Sequence, residues 1–152
     1  LFADIVFLRP LGLRLYMSLG KRDIFGLLIP RDCPLAEKPA VSLDDLQDIP
    51  LIFPEQTYSG HQRLEWFGAD YDSLNIAATY NLIYNATFMV EQGIGYAFCL
   101  GNLVNTEGNR NLTFRPFSPP LTVDLFIVTK KYQTFSPAAK VFLNRLREEL
   151  GK

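Results

Sequence analysis

Few residues of this 152-residue chain have the type and spacing that covalent chemistry requires. Its single histidine, His61, stands beside Gln62 and Arg63 in what reads as the first turn of a helix. Without a partner thiol or carboxylate in register, an exposed or capping role accounts for it. Cys99 sits among apolar strand residues, the setting of a small buried hydrophobe. Cys33, at a turn just after Arg31, has more of the surroundings of a reactive thiol but no general base near it in sequence. Two cysteines placed so far apart suggest neither a disulfide framework nor a metal pair. Asp45 is explained by helix capping and its neighbour Asp44 by solvent. Gly93-Ile-Gly95 follows a helix and precedes a strand, the reverse of a dinucleotide-binding loop. The expectation is therefore a protein without a catalytic constellation, a metal or a cofactor.

Binding chemistry is better represented. Polar and turn residues gather in three places: Pro54, Glu55, Gln56, Thr57, Tyr58 and Ser59; then Thr79, Tyr80 and Asn81; then Leu100, Gly101 and Asn102. Backbone N–H groups at Ser59–Gln62 and Asn81–Ile83 are suited to an anionic group such as a carboxylate, because helix N-termini leave such donors unpaired. Tyr58 and Tyr80 would add apolar wall with a hydroxyl. Turn formation and capping explain Ser59, and one of Thr79 or Asn81, without any ligand. A pocket needs only a few placed polar groups, so both readings stand at this level.

The elements that would position these residues follow from periodicity and punctuation. Ala3–Leu8 is a short apolar run with the pattern of a buried parallel strand. Leu11–Leu19 and Ile24–Ile29 read as two strands joined by the polar connection Gly20-Lys-Arg-Asp23. Pro30 and Pro34 force extended backbone. Ser42 and Asp45 have the spacing of a capping box and open a helix of one or two turns before Pro50. Leu51–Phe53 is a strand, and Ser59 with Gln62 repeats the capping signal for a helix whose face is Leu64 and Phe67. Leu74–Thr79 is a strand, Asn81–Gln92 a helix stopped by Gly93, and Ile94–Leu100 another strand. A polar loop over Asn102–Asn111 leads to strands at Leu112–Phe117 and Leu121–Thr129 around the Ser118-Pro-Pro120 turn. Ser136 caps a last helix with Pro137 in first position and an inward face of Ala139, Phe142, Leu143, Leu146 and Leu150.

Strand and helix alternate from Ile24 to Leu100, which predicts an α/β fold with a mostly parallel sheet and helices on both faces. Ligands of such sheets bind beyond the carboxyl ends of the strands. That rule selects Pro54–Ser59, Thr79–Leu82 and Leu100–Asn102, the same three places as the polar residues. The net charge of −1 gives no electrostatic footprint for nucleic acid. No apolar run approaches the roughly 18 residues of a membrane span, and the opening residues lack the basic flank of a signal peptide. Reduced thiols in a cytoplasmic protein are the default expectation.

Five motifs in order resemble one family. Asp32-Cys-Pro-Leu-Ala36 matches a turn that usually reads Asp-His-Pro-Leu-Ala, with Cys33 in place of histidine. It is followed by Leu43-Asp-Asp-Leu46 and Pro50-Leu-Ile52, then Met89-Val-Glu-Gln-Gly-Ile-Gly-Tyr-Ala97, then Ser136-Pro-Ala-Ala with Phe142. Ala3–Leu8 is similar to the strand that ends the first half of subdomain I. Together they resemble the effector-binding domain of a LysR-type transcriptional regulator, truncated at its N-terminus. The resemblance implies a fold like type II periplasmic-binding proteins, with two α/β subdomains and mostly parallel sheets. Subdomain II would cover residues 24–100, and subdomain I would be incomplete: residues 1–23 as a remnant with crossover, and 101–152 as crossover and C-terminal part.

It also implies a small-molecule effector, a carboxylate among the candidates, held by the three strand-end segments. Further implied are a homodimer or tetramer and DNA contact only through a winged helix-turn-helix that this chain lacks. Sensing would be transmitted through subdomain and oligomer geometry. A solute-binding protein of a transporter, with the same fold, is the alternative.

Overall fold

In a computed structural model, alternate residues of three short strands are buried on opposite faces of one sheet. The structure describes residues 13–59, 67–68, 72–108 and 111–150. The expected strand Ala3–Leu8 and the helical residues His61–Leu64 lie outside them. The strands are β1 (Leu13–Pro30), β2 (Leu51–Pro54), β3 (Ile76–Tyr80), β4 (Tyr96–Leu100), β5 (Leu112–Pro116) and β6 (Thr122–Lys130). The α-helices are α1 (Glu55–Ser59), α2 (Ile83–Glu91) and α3 (Pro137–Leu150), with 3-10 turns at Pro34–Glu37 and Asp44–Leu46.

The chain divides into two compact units, one running from Asp23 to Val123 and the other built from the residues on either side of that span. In the first, five strands pair in the order β3-β2-β4-β1-β5. Leu27, Ile29, Leu51, Phe53 and Phe98 pack on one face with Val41, Leu46, Phe67 and Phe117. Their in-between neighbours Leu28, Ile52, Ala97 and Cys99 pack on the other with Ala86 and Val90 of α2. This period-2 exchange is what a sheet covered on both sides demands. The rings of Phe25, Phe98 and Phe53 stack in series, 5.0 and 4.8 Å between centroids. In the other unit, β6 pairs with the early part of β1, Arg22 Nε donates to Asp124 at 2.7 Å, and Leu143 is the buried residue of α3.

Several expectations need correction. The sheet is mixed: β3, β2 and β4 are parallel, but β1 runs antiparallel to both β4 and β5. Its direction is not imposed by a helical crossover, which only parallel neighbours require. Gly20–Asp23 is not a connection between two strands but the middle of an 18-residue β1. Pairing holds this polar stretch extended, and Gly20 relieves it locally with a φ of 62°. Ser42 and Asp45 do bond to each other, through N–H (3.0 Å) and Oγ (2.8 Å) onto Oδ2, yet the turn they open is a single 3-10 turn. A helix, α1, begins at Glu55 directly after β2 and includes Ser59, which therefore does not stand before its first turn as a cap. Helix α2 starts at Ile83 with Leu82 as its cap residue, two positions later than expected. Ser136 does accept the Ala139 N–H (3.2 Å), as a cap should, but Phe142 is 64% exposed and not on the inward face.

Candidate effector-binding site

Because β2, β3 and β4 are parallel, their carboxyl ends lie along one edge of the sheet, with Pro54 opposite Tyr80 in register. Antiparallel β1 brings the beginning of its paired segment to the same edge, and Phe25 faces Leu100 there. A cavity of about 420 Å³ opens at this edge. Pro54, Gln56 and Thr57 come to it from the β2–α1 junction, and Tyr80, Asn81, Leu82 and Ile83 from the β3–α2 junction. Cys99, Leu100 and Leu103 close it from the end of β4, and Phe25 from β1. Its volume falls within the roughly 300–1,000 Å³ of small-molecule sites, and its wall is mostly apolar with few polar groups, as such sites are.

The wall is electrostatically quiet. The Tyr80 hydroxyl donates to the Phe98 carbonyl at 2.8 Å. Burial, with a smaller contribution from Cys99, holds its pKa above the ordinary tyrosine value. Burial also pushes the Cys99 thiol up to about 12, opposed by a backbone hydrogen bond at Leu28 and reinforced by Asp23. At neutral pH both groups are therefore uncharged, and Cys99 is no nucleophile. Hydrogen-bonding capacity comes from Gln56, Thr57 and Asn81. The first turn of α2 adds backbone N–H groups and contains no acidic residue, so it tolerates negative charge.

Of the twelve residues singled out from sequence, Pro54, Gln56, Thr57, Tyr80, Asn81 and Leu100 line this cavity together. Glu55 and Thr79 are exposed and outside the wall. Gly101 and Asn102 support it from behind: the Gly101 N–H donates to the Ile24 carbonyl (2.9 Å) and Asn102 Nδ2 to Asp23 Oδ1 (3.0 Å). Tyr58 and Ser59 belong to α1, and the positions of their side chains are outside the described residues. Gly60, His61 and Gln62 of the expected anion cradle at Ser59–Gln62 lie outside the described residues. At the second place the free N–H groups move with the helix start, from the expected Asn81–Ile83 to the first turn of α2 beginning at Ile83.

Sequence reasoning missed Phe25, Cys99 and Leu103, and it placed Leu82 and Ile83 at a strand-end segment without assigning their side chains to the wall. The carboxyl-end rule fails for Phe25 because an antiparallel strand presents its other end, and nothing in the local sequence declares direction. Among the described residues no group of three His, Cys, Asp or Glu could hold a metal ion, and no helix is long and apolar enough to cross a membrane.

Comparison with known proteins accords with this geometry. The family described as "LysR substrate binding domain" matches residues 12–151. Among solved structures, HinK, a LysR family transcriptional regulator from Pseudomonas aeruginosa, is similar over 91% of this chain and 49% of its own, with 20% identity and a TM-score of 0.67. The regulatory domain of CcmR from Synechocystis PCC6803, solved with 2-PG, shares 17% identity over 91% of this chain and 66% of its own, TM-score 0.66. The effector binding domain of QuiR, solved with shikimate, shares 15% over 91% of this chain and 65% of its own, TM-score 0.70. At these identities the likeness is one of fold. The chain spans about half of HinK and about two thirds of the other two. No curated protein matches it by sequence. With the family matched over nearly its whole length and a fold shared with LysR regulatory domains, the chain belongs to the LysR substrate-binding domain family.

Proposed function

We propose that this chain is the sensing part of a bacterial LysR-type transcription regulator and that a small carboxylate effector occupies the cavity at the ends of β2, β3 and β4. The observation that carries this is the convergence of three separate chain segments, Pro54–Thr57, Tyr80–Ile83 and Cys99–Leu103, on a single cavity of about 420 Å³. The carboxylate would meet the first-turn N–H groups of α2 and the side chains of Asn81, Thr57 and Gln56. Shikimate in QuiR and 2-PG in CcmR are ligands of proteins with this fold and lend support to the class. The family match favours a regulator over a solute-binding protein of a transporter.

In this reading the protein binds without turnover, in the cytoplasm, as a homodimer or tetramer. Occupancy biases the arrangement of subdomains, and through the oligomer that of winged helix-turn-helix domains. All that coupling requires is an effector that binds one arrangement more tightly.

A thermal-shift screen weighted toward carboxylates and aromatic acids tests the reading. A true effector at 100 times its dissociation constant stabilises by about 2.7 kcal/mol, equivalent to roughly 5–10 °C at about 2–4 °C per kcal/mol for a chain of this size. Thr57→Trp should abolish the shift while leaving the unliganded midpoint nearly unchanged. A shift that persists in Thr57→Trp places the ligand elsewhere and defeats the assignment. Recovery of chemically altered ligand would defeat the non-catalytic part.

A further inference from the structure

A second, smaller cavity of about 240 Å³ abuts the first, and the two share Ile83 and Leu103 as lining residues. Its remaining wall is Tyr84, Thr87, Val104 and Asn105. At this volume it falls below the range of a self-sufficient small-molecule site, so it reads as an annex of the larger cavity. Two of its polar atoms are engaged locally: the Thr87 hydroxyl donates to the Tyr84 carbonyl (2.7 Å), and Asn105 Oδ1 accepts the Glu107 N–H (2.8 Å). The apolar part of the wall comes from Ile83, Leu103, Val104 and Tyr84. Val104 and Ile83 in turn pack on the core cluster of Ala86 and Val90, so this wall is backed by fixed side chains. Leu103, which divides the compartments, is 54% exposed in the loop after β4.

The two compartments are chemically unlike. The larger holds Gln56, Thr57 and Asn81, while the annex offers apolar surface beside the first turn of α2. Among the described residues, no charged side chain lines either one. A second charge carried along this apolar wall would give up part of its water without gaining an oppositely charged side chain, which opposes its entry.

Taking the effector-site reading above as its basis, we propose that the ligand is an elongated monocarboxylate: its head is held at Asn81, Thr57 and Gln56, and its apolar tail passes between Ile83 and Leu103 into the annex. Leu103 and Tyr84 are then the residues that set the accepted tail length.

The test uses the full chain with n-alkanoates from butanoate to dodecanoate, the α,ω-dicarboxylates of equal length, and benzoate as a compact probe, each titrated calorimetrically. Affinity for the monocarboxylates should rise about fourfold per methylene, the fold-change for burying one CH₂, up to a break in length. Dicarboxylates should show no such rise. Asn105→Trp, at an exposed residue that lines only the annex, should bring the break to shorter chains while benzoate affinity stays within twofold. If that variant misfolds, Tyr84→Ala provides the second reading, with the break moved to longer chains and short chains unaffected. Binding of benzoate and short chains without length dependence, or a break that neither variant moves, overturns the inference and leaves the effector site standing. Failure of every monocarboxylate, benzoate included, to bind the folded protein overturns both the inference and the carboxylate reading.

Discussion

Cys99 and Cys33 show how much a residue's chemistry depends on its neighbours. The Cys99 thiol lines the cavity yet is 2% exposed, and burial pushes its pKa up to about 12. Cys33 is half-buried beside Tyr96, whose own pKa is raised by burial first and by Cys33 second. Reaction with iodoacetamide at pH 7.5 should therefore modify Cys33 alone, and Cys99 should react only on unfolding, which peptide mass mapping would read directly. Equal labelling of both would contradict the packing around β4. The same shift carries a pH consequence. The folded state holds the Cys99 proton more tightly than the unfolded state, so the stabilisation is complete below the unfolded value near 9 and is lost as pH rises through about 12. Tyr80 shifts in the same direction. Urea midpoints should fall across that window, and Cys99→Ala should flatten the fall. Cys99 was legible in sequence as a buried apolar residue, but its place on the cavity wall was not, because that depends on which strand lies beside which.

Elements were legible where local chemistry decides them and illegible where partners do. The Ser136 cap before α3 and the Ser42–Asp45 pair could be read because each is a contact within three residues. Asp45 accepts both bonds from Ser42 and pairs with Lys38, and that Lys38 hydrogen bond is the main cause that holds its pKa below the usual carboxylate value. Asp45→Ala should cost about 1 kcal/mol, the usual value of a lost cap, measurable as a lower denaturation midpoint with an unchanged slope. The continuity of β1 through Gly20–Asp23 could not be read, because non-local partners keep a polar stretch extended. Neither could the start of α1 at Glu55, where a strand runs straight into a helix. Gly26 presents the sharpest element-scale case. A Cβ there would stand 2.1 Å from the Arg115 carbonyl oxygen, where Gly26 pairs with Pro116 at one end of the β1–β5 ladder. Backbone cannot yield as a flexible side chain does, so Gly26→Ala should destabilise by about 2–3 kcal/mol or more. A variant with an unchanged midpoint would mean that β5 is not seated on β1 in this register.

At the scale of the whole molecule, burial is divided unequally between the two compact units. Among the described residues, the two hydrophobic clusters lie between Asp23 and Val123, drawn from β1 to β5 and α2 with the turns between them. In the other unit, α3 buries only Leu143, while Val141 and Phe142 are exposed. Sub-global opening follows local burial, so amide hydrogens of α3 should exchange faster than those of β2 and β4, and proteolysis should first cut in the region of α3. The cavity is lined wholly from the unit between Asp23 and Val123. A ligand bound there adds its free energy to any opening that disrupts β2, β3 or β4, and adds nothing to an opening confined to α3. Saturating effector should therefore slow exchange in Leu51–Pro54 and Tyr96–Leu100 by the full binding factor. If exchange in α3 slows by the same factor, the two units respond to the ligand as one cooperative body, which is the thermodynamic form a transmitted signal must take. If it stays at its unliganded rate, sensing ends within the first unit and transmission needs contacts beyond this chain.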